Sequence, residues 1–190
     1  MVREMRRAFT VVELLVVVGI ISILTGILLP VVSKARAQSE RVACRAQLRD
    51  VGASFTMYMT DSKGRLPAVN TMPSIKPPQI NAPSLPVLLE PYVKTSTRVF
   101  RCPSDHVTKE VTNAPAGFET YFEREGSSYQ YSPFLVPLAG SRPQESLGSR
   151  MGHPELVTVI DEYEPYHGPA GSRGAMNYLF MDMHVGSLGD

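Results

Sequence analysis

Residues 6–30, RRAFTVVELLVVVGIISILTGILLP, set one carboxylate, Glu13, just inside an otherwise apolar run. From residue 14 to residue 32 there are 19 residues without a charge, and 14 of them are Val, Leu or Ile. At roughly 1.5 Å of rise per residue such a helix spans about 28 Å, close to the hydrocarbon thickness of a bilayer. A membrane span is therefore the default reading. A buried core helix is one alternative, although core helices seldom need so unbroken an apolar run. A cleaved secretory signal is another, since basic residues precede the run.

The residues beyond Pro30 argue for a retained helix. Cys44, Leu48, Val51, Phe55 and Met59 recur at spacings of four, three, four and four, the stripe of an amphipathic helix with one buried face. The pattern predicts one helix of about 50 residues, roughly 75 Å long. Pro30 removes one of its backbone hydrogen bonds and is expected to bend it. Insertion of the apolar half is favoured despite Glu13: fourteen large aliphatics contribute roughly 6 kcal/mol, against about 3 kcal/mol or less for one acidic group near the edge. An ionisable group at that place needs a partner, or it reaches to the headgroups.

The stretch Ala8-Phe9-Thr10-Val11-Val12-Glu13-Leu14-Leu15 resembles the N-terminal cleavage and methylation signal of type IV prepilins and type II secretion pseudopilins. The resemblance implies cleavage by a prepilin peptidase between Ala8 and Phe9, with Ala8 where the family most often has glycine. Residues 1–8 would then be a leader and Phe9 the methylated mature N-terminus. It also implies a partner for Glu13, the charged amine of a neighbouring subunit's Phe9, so that the carboxylate sets the stagger between copies of this chain or other pseudopilins in a filament. Pro30 stands where the family commonly bends its helix.

Topology follows less simply. Arg3, Arg6 and Arg7 precede the span, but Lys34, Arg36, Arg41, Arg45 and Arg49 follow it, and a charge count alone would put the C-terminal side in the cytoplasm. The resemblance implies the opposite: a single-pass protein of the inner (cytoplasmic) membrane, its leader facing the cytoplasm and its C-terminal part outside.

Only one of the 16 prolines, Pro30, lies before residue 67. The chain is thus expected to divide into a leader (1–8), a transmembrane assembly half of the helix (9–32), its amphipathic half (33–60) and a loop-rich globular part (61–190). TDSKGRLP (60–67) reads as a helix stop, and the proline-dense residues 67–86 read as an irregular loop. LPVLLEPYV (85–93) reads as a short helix on the long one. SSYQYSPF (127–134), LVTVIDEY (156–163), and the hairpin pair MNYLF (176–180) and HVGSL (184–188) read as strands. The expected class is α+β, a pilin-like long helix packed against a small antiparallel sheet with irregular loops.

Cys44 and Cys102 are the two cysteines. In an extracytoplasmic domain they suggest one disulfide, with two buried free thiols as the alternative. The segments 41–67, VFRCPSD and NYLFMDMHV resemble a prepilin-like family whose chains often end in a histidine, nine residues, then Asp-Gly-His-Val. Asp182, His184 and Val185 match that ending, Ser172 stands in place of the histidine and Met183 replaces the glycine. Loss of that glycine predicts a wider hairpin turn.

A formal charge of +1 with no basic stripe gives no footprint for nucleic acid. His106 beside Cys102 and Asp105 invites zinc, but no second ligand pair has the usual spacing, and His153, His167 and His184 are scattered. Asp161, Glu162 and Glu164, with Asp182, lack the ligand spacing of a calcium loop and read as a solvated acidic strand end. Neither metal nor cofactor is expected. No nucleophile elbow or phosphate loop occurs, so no catalytic residue is assigned and an enzyme is not expected. Two readings remain: a filament subunit, or a tethered extracytoplasmic binding module or hydrolase.

Overall fold

The computed structural model describes residues 10–71, 81–93, 96–106, 118–143, 153, 157–163, 165–169 and 171–187. The expected leader (1–8) with Phe9, residues 72–80 of the proline-dense loop, and Glu164 lie outside them. The chain divides into two compact units, Met1–Ser39 and Glu40–Asp190, and α1 (Val11–Asp61) contributes to both. The architecture is the expected one, a long apolar N-terminal helix followed by a small antiparallel four-stranded sheet.

In the first unit α1 runs through Pro30 without interruption. Every Val, Leu and Ile from residue 11 to residue 32 is exposed, from 47% at Val17 to 80% at Val11. This rules out the core-helix alternative, in which the same side chains would be covered. Ser22 and Ser33 donate their hydroxyls to the carbonyls of Val18 and Pro30, at 2.8 and 3.0 Å. Polar side chains on the apolar stretch are thereby satisfied within the helix itself.

In the second unit the predicted stripe is the buried one. Cys44, Leu48, Val51 and Phe55 are wholly covered and Met59 partly so. The helix ends in a Schellman motif: Gly64 N–H reaches Met59 O (2.7 Å) and Lys63 N–H reaches Thr60 O (3.2 Å). The left-handed position that glycine usually takes at such a stop is held by Lys63 (φ 56°), with Gly64 following at φ 75°.

The sheet is an antiparallel meander of β1 (Tyr129–Tyr131), β2 (Thr158–Glu162), β3 (Tyr178–Phe180) and β4 (Val185–Gly186). Tyr129 and Tyr131 turn inward around Gln130, the alternation expected of a half-buried strand. A register shift between Thr158 and Ile160 lets Val159 and Ile160, neighbours in sequence, both be buried. Gly52 brings helix and sheet together, since a Cβ at that position would lie 2.9 Å from Leu179 Cδ1. The short helix α2 (Leu85–Leu89) runs into a 3₁₀ turn, Glu90–Tyr92. Tyr92 meets Tyr58 of α1 edge to face at 6.1 Å.

The hairpin between β3 and β4 departs from expectation. It is not widened: Met183 N–H reaches Phe180 O and Phe180 N–H reaches His184 O, at 2.9 and 3.0 Å. Met183 itself takes the left-handed conformation, φ 67°, because its side chain packs against the core and Asp182 closes the turn from beside it. Asp182 Oδ1 accepts from His184 N–H (3.1 Å) and meets His184 Nδ1 at 2.5 Å.

Candidate functional site

Two groups of polar side chains stand out, one in each unit. The first heads α1. Thr10 is its N-cap and Glu13 lies three residues on. Glu13 Oε2 accepts from Thr10 N–H (2.9 Å) and from the Thr10 hydroxyl (2.8 Å), while Glu13 N–H reaches Thr10 Oγ1 at 3.2 Å. This reciprocal arrangement is a capping box, and it satisfies backbone donors that the first turn would otherwise leave open. The signal for it stands in the sequence as Thr10-x-x-Glu13, the local mark of an N-terminal box. Thr10 lies on the mature side of the expected cut, so the box survives cleavage between Ala8 and Phe9.

The second group surrounds the cysteines. Cys44 of α1 and Cys102 of the loop before α3 (Tyr121–Glu125) form a disulfide with Cα atoms 4.9 Å apart, closing a separation of 58 residues. The remainder of CPSD is structural. Asp105 accepts from the backbone N–H groups of Tyr121 (3.0 Å) and Phe122 (2.8 Å) and from the Ser128 hydroxyl (2.6 Å), and Ser128 Oγ accepts from Cys102 N–H at 2.9 Å. One carboxylate thus ties the disulfide loop to the start of α3 and to the entry of β1. His106 turns to Ser104 O (2.8 Å) and the Tyr166 ring, away from the role at Cys102 that its sequence position invited.

The histidine beside the disulfide is His167, with Nε2 3.9 Å from Cys102 Sγ and 3.0 Å from Glu162 Oε1. Glu162 is fully buried, which corrects the solvated acidic strand end. Its oxygens also accept from Asn177 N–H (2.9 Å) and Asn177 Nδ2 (2.8 Å). Arg45 completes the chain of contacts, Nε to Asn177 Oδ1 at 2.9 Å and Nη2 to Ser187 Oγ at 3.3 Å. Arg41 lies over Gly174, where any Cβ would fall on its guanidinium. Two of the arginines that confuse the topological charge count therefore have a use within the fold. Asp161, next to Glu162, has its Oδ1 buried with no hydrogen-bond partner among the described residues. Burial pushes its carboxyl up to about 7, against the smaller opposing effect of a hydrogen bond with Gln130. Asp182 stays in the hairpin, and no calcium-type grouping of these acids forms among the described residues.

The spacing of Cys44, Cys102, Glu162 and His167 (58, 60 and 5 residues) carries no local signature, and only tertiary packing brings them together. No curated protein and no solved structure matches the chain. Residues 3–29, which span the Thr10–Glu13 box and most of the exposed apolar helix, match the family model of the prokaryotic N-terminal methylation motif, the signal of a type IV prepilin-like precursor.

Proposed function

We propose that the chain is a structural subunit, a pseudopilin or minor pilin, of a type II secretion or type IV pilus-like filament. It would be cut by a prepilin peptidase between Ala8 and Phe9, held in the inner membrane by its apolar helix, and assembled through that helix with the Glu40–Asp190 unit outside the cytoplasm. The observation that carries this reading is an apolar helix with no covered face in its own chain, fused to a well-packed unit and matching the methylation motif. Such a surface needs lipid or other apolar helices around it, and a filament core supplies the second after the membrane has supplied the first. The unit beyond Glu40 acts as a covering domain and not as an enzyme.

The capping box sharpens the test of Glu13. Glu13→Ala removes both the cap and the charge, and so confounds two effects. Glu13→Gln keeps an oxygen for Thr10, as glutamine serves in a capping box, and removes only the charge that would meet a neighbour's amine. The expected result is normal membrane insertion and normal helicity, a mature chain whose mass begins at methylated Phe9, and loss of filaments and of crosslinks between copies. Wild-type assembly by the Gln variant would remove the charge pairing, and an intact Met1 on the mature protein would remove the processing on which the whole reading depends.

A further inference from the structure

The disulfide has more around it than a structural crosslink needs. Cys44 Sγ, Cys102 Sγ, a Glu162 carboxylate oxygen and a ring nitrogen of His167 all lie within 4.8 Å of one another. They come from α1, the loop before α3, β2 and the turn after it. Two sulfurs, an imidazole and a carboxylate are a donor set suited to zinc, whose bonds of about 2.0–2.3 Å put tetrahedral donors roughly 3.5 Å apart. Ligation requires the two bonded sulfurs to move apart by about 1.5–2 Å, while the widest of the other donor separations closes by about 1 Å. All four are buried, the cysteines and Glu162 at 1% exposed or less and the His167 side chain at 2%.

The groups that orient such donors are in place. Asn177 holds Glu162 through two hydrogen bonds, and Arg45 holds Asn177. Outer contacts of this kind fix carboxylate ligands and tune a metal site. Charge is also accommodated. Two thiolates and one carboxylate around a divalent ion leave one negative charge, which the Arg45 guanidinium offsets from one residue away.

We propose that Cys44, Cys102, Glu162 and His167 form a zinc-type site that exists only while the cysteines are reduced, so that metal binding and the disulfide are mutually exclusive states of one locus. In the forward direction a dithiol reductant delivers two electrons and two protons, the S–S bond breaks, and the reductant becomes a disulfide. The ion then displaces the two thiol protons to solvent, and His167 binds it as neutral imidazole through Nε2. In reverse, a disulfide-class oxidant takes two electrons from the thiolates and two protons from solvent, its own S–S bond breaking to a dithiol as the Cys44–Cys102 bond re-forms, and the ion leaves because the bonded sulfurs no longer carry the charge that held it.

The test uses the full chain in detergent, reduced with dithiothreitol, freed of it under anaerobic conditions, and titrated with cobalt(II) as a spectroscopic stand-in for zinc. One cobalt per chain is expected, with thiolate charge-transfer absorption and the strong visible bands of a tetrahedral site, both abolished by added zinc. The disulfide form should give neither. His167→Ala and Glu162→Gln should each weaken binding by at least roughly tenfold, while His184→Ala, on the exposed side of the hairpin, should not. Circular dichroism of each reduced variant distinguishes loss of a ligand from loss of the fold. Equal cobalt affinity in His167→Ala and wild type would mean capture by loose thiols and would overturn the site. So would thiolate bands in the disulfide form, or a reduced chain that unfolds and that cobalt does not restore.

Discussion

At Glu13 two demands meet in one side chain. Within its own chain the carboxylate closes a capping box with Thr10, worth about 1 kcal/mol to the helix end. Within an assembly, the proposed function asks the same carboxylate to receive an amine. The two are compatible, because an ionised carboxylate has about four acceptor sites and Thr10 takes only part of that capacity. Asp161 is the opposite case, a carboxyl with a buried oxygen that nothing described satisfies. In the fold it keeps its proton up to about pH 7, whereas the unfolded chain gives it up near its ordinary value of 3.8. Between those values the folded state binds more protons, so the contribution of Asp161 to stability falls as pH rises through this window. Asp161→Asn should remove that slope. Urea unfolding is expected to find the variant nearly equal to wild type near pH 3.5 and increasingly more stable as pH rises, by up to roughly 4 kcal/mol at pH 8.

Among the described residues, the two non-glycine positions in left-handed conformation differ in what holds them there. Lys63 is an exposed residue at the end of α1, and its conformation does nothing that glycine would not do better. Lys63→Gly is expected to raise stability by roughly 0.5–1 kcal/mol, once the greater freedom of glycine in the unfolded chain is subtracted, as a shift in the denaturation midpoint with unchanged slope. Met183 has the same backbone but packs against the core, so glycine there would lose contacts and gain relief together. The helix stop itself was legible, because Gly64 and Pro67 are strong punctuation. The strands were legible as positions but came out shorter than read, three residues in β1 and β3. Alternation of residue types extends beyond the point where a neighbouring strand remains available to pair.

For the second unit as a whole, the disulfide joins the helix to the loop that feeds α3 and β1 across 58 residues of sequence. In the chain-entropy description a loop of that length stabilises the fold by about 4 kcal/mol, less whatever strain remains. Replacing both cysteines by alanine should lower unfolding stability by up to roughly that amount, read by urea denaturation in detergent, without altering the helicity of the apolar half. That independence is expected because the apolar side chains of residues 11–32 are exposed and the helix there is held by its own backbone hydrogen bonds.

The long helix, its division into an apolar and an amphipathic half, and the α+β class are legible in the unfolded chain, and the methylation signal is legible in the resemblance carried by residues 8–15. The first three rest on local composition and on periodicity, which a linear reading captures in full. Folding alone brings about the burial of Glu162, the placement of His167 in place of His106 beside Cys102, and the contact of Arg45 with Asn177. Those placements depend on which loops the sheet and helix bring to one point. Polar residues separated by tens of positions carry no periodic mark of the neighbours they will find.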